Sequence, residues 1–594
     1  MEPDCESRIV QSIHAALDEL KAEGRLVSAP WPPVYLEEPK DESHGDLSCA
    51  IALRLAKPEK KKPRDLAELI VEKLKAGEAA ASAFSTVDIA GPGFINFTLP
   101  LSAWHAKLHE ALARGEDYGR AEAGVGKRAN VEFVSANPTG PLTVGHGRQA
   151  ILGDVIARVL EFAGFTVERE YYYNDAGRQM RLLGESLRLR YLEALGDRVQ
   201  FTADHYRGEY LAEYARELVE EHGEALRDND LGTFKSLAEK HVFATIEATL
   251  ARLDIRFDRF FNEFELYTSH AVEQVVDRLR AQGDAYDKDD AVWFRAKKWG
   301  ANDDRVLQKS SGEYTYRLPD IAYHIDKLER GYDRIIDVLG QDHHSTTQDV
   351  AAGLKALLTP QGQESELNRI KVLLHQFVTL TRGGAQVKMS TRKAEYVTLD
   401  ELLDEIAAQI GEELRKKETV VGEITPARLD TMARDAVRYF YSMRRMESHL
   451  EFDLDLAVSQ SMQNPVYYLQ YAHARISSIF KKWAERGGDL STDFRAVPEK
   501  VIARLVEPEA IRLIKLLGRF PALVESIANS YETHRISEYL HTIARELQSY
   551  YEKHRVLGDD EELTLARLAL MHAVRTVLAG GLTQLLGISA PETM

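Results

Sequence analysis

Residues 128–163 read RANVEFV, then SANPTGPLTVGHGR, then QAILGDVIARVLEFA. The first run is short and apolar, the second rich in glycine and proline, and the third spaces its apolar residues by three and four. That order predicts strand, loop and helix. FTVEREYYYND follows at 165–175 as a second strand, so the stretch forms one βαβ unit of a parallel sheet. A loop of this kind leaves unpaired backbone N–H groups at the helix start, an anion site suited to phosphate. In doubly wound sheets ligands bind at this edge, the carboxyl ends of the strands. The loop is Ala136-Asn137-Pro138-Thr139-Gly140-Pro141-Leu142-Thr143-Val144-Gly145-His146. Gly145 lets an adenine or ribose come close to the backbone, and His146 can donate to a phosphate or ribose oxygen. Taken alone, the loop fits equally well a plain tight βα connection with a capped histidine.

Outward from this unit the chain divides. Residues 1–110 read as a compact α+β module: a helical run (SRIVQSIHAALDELKAEG) stopped by glycine, a second helix begun near Asp65, and two short strands in STVDIAGPGFINFTLP around a Gly-Pro-Gly turn. KPEKKKPR, just before that second helix, reads as a solvated loop rather than an RNA contact. Residues 111–400 form the α/β domain, interrupted at about 178–285 by polar amphipathic helix read as an insertion. Its sheet resumes with RIIDVLGQDHH and IKVLLHQFVTL. Beyond 400 the pattern is almost wholly helical, as a connector at 401–460 and a bundle at 461–594. The fold class is therefore multidomain: an α+β module, a Rossmann-like α/β domain with a helical insertion, and an all-α C-terminal bundle.

Bulk composition excludes several classes. At 594 residues the chain exceeds one core, and 44% hydrophobic with 29% charged residues is ordinary for a water-soluble globular protein. No uninterrupted apolar run approaches the roughly 18 residues of a spanning helix, and MEPDCESRIV lacks the features of a signal peptide. The expectation is a cytoplasmic chain with no membrane partner. Two cysteines, Cys5 and Cys49, exclude a disulfide framework and a cysteine zinc site. A net charge of −18 weighs against nucleic acid, but residues 461–594 carry equal numbers of acidic and basic side chains, so the deficit lies before them.

A second constellation is Gln386-Val387-Lys388-Met389-Ser390-Thr391-Arg392-Lys393, after the turn RGGA. Three cations and two hydroxyls on a glycine-hinged loop suit a clamp on a polyphosphate, stabilising charge that grows on a leaving pyrophosphate. By itself such a loop is more often a solvated surface turn.

The V-G-H and K-M-S loops together resemble the two signature motifs of class I aminoacyl-tRNA synthetases, and the rest of the chain resembles the arginyl-tRNA synthetases. HGDLSCAIALRLAK and IAGPGFINF carry the likeness in the N-terminal module. YYYNDAGRQM, DIAYHIDKLERGYDRIIDVLGQDHH and VKMSTRKAEYVTLDELLDEI carry it in the α/β domain, and DAVRYF, FDLDLA, NPVYYLQYAHARI and APETM in the helical region. Two positions depart from the family pattern: Thr143 stands where the first signature usually begins with histidine, and Thr391 where the second usually ends with lysine. A threonine hydroxyl supplies a hydrogen bond but no cationic ring.

The resemblance implies attachment of L-arginine to its tRNA through an arginyl-adenylate, with ATP and accompanying Mg²⁺ as cosubstrates, no structural zinc and a monomeric chain. It implies His146, Lys388, Thr143 and Ser390 as catalytic, and Gly145, His146, His343, Lys388 and Met389 at the nucleotide. Arginine would meet Ser135, Asn137, His146 and Gln341 at its α end and Tyr316 and Asp320 at its side chain. A carboxylate grips a planar guanidinium with two parallel charge-assisted bonds, which a lysine ammonium cannot reproduce. Without the resemblance, Asp320 reads as an N-cap of the helix that follows. His343 and His344 lack a third ligand at metal spacing. In the C-terminal bundle, an anticodon reader by resemblance, Tyr467, Tyr468, Tyr471, His473 and Arg475 fit base stacking or simple core packing. The N-terminal module would touch the tRNA corner. The rivals are a class I ligase for another amino acid and a tRNA-binding paralogue without catalysis.

Overall fold

A computed structural model describes residues 5–39, 41–77, 83–387, 397–416 and 422–594. It comprises two compact units. One gathers Met1–Tyr118, Lys482–Arg519 and Glu546–Val574, the other Gly119–Lys481, Phe520–Arg545 and Arg575–Met594.

In the first unit the helix Cys5–Ala22 buries Ile9, Ile13, Leu17 and Leu20, a single helical stripe. It packs with Ile51–Glu59 and Pro63–Ala76 on an antiparallel sheet ordered Leu36–Glu37, Leu47–Cys49, Phe94–Thr98, Thr86–Ala90. The expected hairpin at Gly91-Pro92-Gly93 is present. Of the lysine-rich stretch only Lys60–Lys62 form the exposed loop expected. Lys57–Glu59 end one helix and Pro63 opens the next. Glu59 turns inward and accepts the N–H groups of Val27 and Ser28 at 3.1 and 2.7 Å. In HGDLS, Asp46 accepts the Leu99 N–H at 2.7 Å and pairs with Lys515. Gly45 precedes it with φ +92°, and a Cβ there would stand 2.8 Å from the Phe97 carbonyl oxygen.

The second unit is built on a five-stranded, all-parallel sheet. Its strands are β1 (Arg128–Glu132), β2 (Thr166–Tyr173), β3 (Arg259–Asn262), β4 (Arg334–Gly340) and β5 (Ile370–His375), in the order β5-β4-β1-β2-β3. Helix α1 (Val144–Phe162) crosses from β1 to β2, and Asn130 and Val131 at the centre of β1 have no exposure. Helix α2 (Arg317–Glu329) precedes β4, and α3 (His344–Leu358) follows it.

Three readings need adjustment. Helix α1 begins at Val144, not Gln149, because Thr143 already caps it. The stretch 178–285 holds the helices Gly177–Ala194, Glu209–His222 and Leu231–Arg252, then sheet strand β3, four residues long and too short to stand out in a polar run. An unforeseen antiparallel meander follows at Ala285–Lys288, Ala291–Phe294 and Arg305–Gln308. The apolar run after β5 breaks at Gln376-Phe377 and continues as β6 (Val378–Arg382). This strand pairs with Ala385–Gln386 through the Gly383-Gly384 turn and, in parallel, with Leu450–Asp453.

The helices Leu399–Arg415 and Pro426–Ser442 pack against α1. Arg438, with no exposure, donates to the carbonyls of Leu253 and Leu586 at 2.8 Å each and to Asp154 of α1 at 2.5 Å. Glu561–Leu585 is long and apolar enough to span a membrane by length and composition, but 67% of its apolar window is buried inside the protein.

Candidate active site

A cavity of about 640 Å³ opens at the carboxyl ends of β1, β2, β4 and β5, the edge predicted for ligands. Of the residues expected there, Ser135, Asn137, Thr143, Gly145, His146, Tyr316, Asp320 and His343 line it; Gln341 does not. Lys388, Met389 and Ser390, with Thr391, Arg392 and Lys393, lie outside the described residues. The chain that rejoins after them is held against the first motif. Val144 N–H donates to the Val397 carbonyl at 3.3 Å and Leu399 N–H to the Leu142 carbonyl at 2.8 Å.

Thr143 has a structural role of its own. It is the N-cap of α1, and its backbone N–H donates to His146 Nδ1 at 3.1 Å, a reciprocal capping arrangement. With Nδ1 accepting, the ring proton belongs on Nε2, so His146 presents a donor. Burial holds its pKa below the ordinary histidine value, opposed by nearby Asp342. The ring is thus a neutral donor at pH 7. Gly145 leaves its flank open, a Cβ there meeting only Thr143 Oγ1 within 4 Å, at 3.6 Å. His375, at the end of β5, is pushed down to about 4 by burial and stays neutral. His343 and His344 are exposed; among the described residues no three His, Cys, Asp or Glu side chains gather to hold a metal.

Backbone strain marks the tip of β1. Val134 and Ser135 both have positive φ, +68° and +43°, costly for non-glycine residues and a frequent signature of functional sites. The turn brings Ser135 Oγ to donate to Glu132 Oε1 at 2.9 Å and to accept the Tyr172 N–H at 3.2 Å. Asn137 accepts the Asn174 N–H at 3.1 Å and donates to Gln179 at 3.2 Å, fixing the loop to the next crossover.

The remaining wall is acidic and aromatic. Helix α2 starts at Arg317, so Asp320 sits inside its first turn and is not the N-cap. Burial pushes the Asp320 pKa up to about 7, with Glu132, Glu263 and Asp337 adding to the rise and His324 opposing it. Tyr172 donates to Glu263 at 2.8 Å, and its ring centre lies 4.6 Å from that of Tyr323. Tyr316, 77% exposed, stands on the cavity's rim. Sequence reasoning missed Glu132 and Glu263. Glu132 alternates with apolar neighbours in a buried strand, a detectable signal; Glu263 follows a strand too short to recognise. In the helical region Tyr467 and Tyr471 stack with centroids 6.3 Å apart, whereas His473 is buried, its Nδ1 2.8 Å from the Pro591 carbonyl.

A parallel sheet whose carboxyl edge carries this capped V-G-H turn, with the second loop's far end stitched to it, defines the catalytic domain of a class I aminoacyl-tRNA synthetase. Comparisons with known proteins extend this. The model for the class I (R) tRNA synthetase catalytic domain matches residues 107–450, that for the arginyl tRNA synthetase N-terminal domain residues 7–99, and that for the DALR anticodon binding domain residues 469–594. An arginine–tRNA ligase of Desulfotalea psychrophila is 49% identical over 94% of both chains, and one of Geobacter metallireducens is 42% identical over 99% of this chain and 100% of its own. The solved arginyl-tRNA synthetase of Thermus thermophilus shares the fold, with a TM-score of 0.74 at 22% identity and 99% of each chain covered. The chain belongs to the arginyl-tRNA synthetase family.

Proposed function

We propose that this cavity joins L-arginine to ATP as arginyl-adenylate and passes the arginyl group to the terminal ribose of its tRNA. The arginine carboxylate attacks the α-phosphate, forming a C–O–P linkage while the bond to pyrophosphate breaks. A ribose hydroxyl then takes the acyl group and AMP leaves. Positioning and charge stabilisation carry such chemistry, with little protein acid–base work.

The observation that carries this reading is the acidic, partly buried wall around Asp320. A guanidinium there meets a carboxylate with two oxygens to offer, beside Glu263 and Glu132, with Tyr316 at the rim. Ser135 and Asn137, fixed at the strained strand tip, take the α end of arginine, and Gln341 is assigned there by resemblance. Gly145 and the Nε2 donor of His146 face the nucleotide with His343, and Lys388, Met389 and Ser390 complete the phosphate side. Mg²⁺ travels on the phosphate oxygens. The helical domain reads the anticodon, the N-terminal module touches the tRNA corner, and the protein works as a cytoplasmic monomer.

The test is isotope exchange between pyrophosphate and ATP. Exchange should require arginine and tRNA together, and lysine should not replace arginine. Exchange driven equally by lysine would overturn the pocket assignment.

A further inference from the structure

Within the acidic wall, where His324 and Asp337 line the cavity beside Asp320, runs a largely buried charge relay. Asp337, 1% exposed on central strand β4, has both oxygens occupied: Oδ1 accepts from Lys327 Nζ at 2.6 Å and Oδ2 from His324 Nε2 at 2.9 Å. Each cation then reaches a group of the cavity wall. Lys327 Nζ donates to Glu132 Oε2 at 2.5 Å, and His324 Nδ1 donates to the backbone carbonyl of Asp320 at 2.7 Å. Both nitrogens of His324 face acceptors, so both carry protons and the ring is an imidazolium. Burial alone would discharge it, but Asp337 outweighs burial and raises its pKa.

We propose that His324 is a positioning residue for arginine: anchored by Asp337, it holds the first turn of α2 and keeps the Asp320 carboxylate charged and facing the cavity. Asp320 is faced by Glu132 from β1, Tyr172 from β2, Glu263 after β3 and Asp337 from β4. Four carboxylates gathered at low dielectric repel one another, and one takes a proton unless cations balance them. Lys327 is committed to Glu132 and Asp337. His324 is therefore the cation that offsets the pressure on Asp320. A protonated Asp320 offers the guanidinium one acceptor oxygen and no charge, so losing the His324 charge costs arginine affinity and leaves ATP untouched.

This inference rests on Asp320 as the guanidinium partner. The experiment is the pH dependence of arginine kcat/KM in H324Q, which keeps a hydrogen-bond donor and removes the charge. At pH 7 arginine KM should rise by about fivefold, because a rise of about one pKa unit from about 7 lowers the ionised fraction of Asp320 from about one half to about one tenth, while ATP KM stays within about twofold. The acid limb should move to higher pH, so that the defect largely closes by about pH 8.5, where Asp320 ionises unaided. A defect of equal size at every pH, or none, overturns the proposal, because a purely structural role gives no pH-dependent recovery. H324K, which restores a cation, should return the limb toward its original position. Should H324Q not fold, the ring of His324 in the wild-type protein can be followed by NMR with labelled histidine. An imidazolium persisting above pH 7 is expected, and a neutral ring at pH 7 overturns the proposal. D320N separates the two ideas. Unchanged arginine KM in D320N refutes the pocket itself, whereas a raised KM in D320N with normal H324Q refutes only the relay.

Discussion

At the residue scale the account turns on Asp320 and His146. Replacing Asp320 by alanine removes the charge that pairs with the guanidinium and should cost about 2–5 kcal/mol in arginine kcat/KM, roughly 30- to 5000-fold, with ATP KM little changed. Steady-state charging assays measure this directly. The wild-type enzyme should also show an acid limb. With its pKa pushed up to about 7, Asp320 in the free enzyme is protonated below that pH and ionised above it, so arginine kcat/KM should fall as pH drops through about 7. A limb near the ordinary carboxylate range, about 4, would contradict the burial argument. For His146 the signature departure at Thr143 proves to be a cap. Thr143→Ala removes the hydroxyl and keeps the backbone N–H to Nδ1. It should therefore cost about 1 kcal/mol of stability and only a modest part of the rate. His146→Ala removes the donor and should lower kcat far more.

At the element scale, what the sequence disclosed follows the length and periodicity of each segment. Strand β1, helix α1 and strand β2 stood out because apolar runs of different period adjoin a glycine–proline loop. Helix α1 starts earlier than apolar periodicity predicts, because Val144–Arg148 has little of it; the cap, a polar local feature, sets the boundary. Strand β3 and the meander at 285–308 were missed because four-residue strands are shorter than any period can reveal. Of the site, Ser135, Asn137, Tyr316 and Asp320 were legible through their motifs. Glu263 was not, since its place in the cavity comes from sheet order alone. The relay in α2 was half-visible: His324 and Lys327 lie one helical turn apart, but their partner Asp337 sits on β4. Lys327→Met should leave the buried Glu132 with no cation and Asp337 with His324 alone, destabilising the fold by about 3–5 kcal/mol, which chemical denaturation would register.

At the scale of the whole molecule, the second unit is locked by segments far apart in sequence. Arg438 joins α1, the end of Leu231–Arg252 and the C-terminal tail, while Asp435 accepts the Ser589 N–H at 3.1 Å. Gly587 makes the approach possible: its φ is +66°, and a Cβ there would lie 2.4 Å from the Arg438 guanidinium. Gly587→Ala should therefore cost about 1–3 kcal/mol and lower the melting temperature, with arginine KM unchanged if the cavity is intact. The tail thus acts on the catalytic unit through packing, away from the pocket. The central claim is that the acidic cavity selects arginine for attachment to tRNA. The most direct measurement supplies the purified protein with ATP, Mg²⁺, bulk tRNA and all the proteinogenic amino acids together, then identifies what is esterified to the RNA. The account predicts arginine alone; any other amino acid, or no charging with active tRNA, would contradict it.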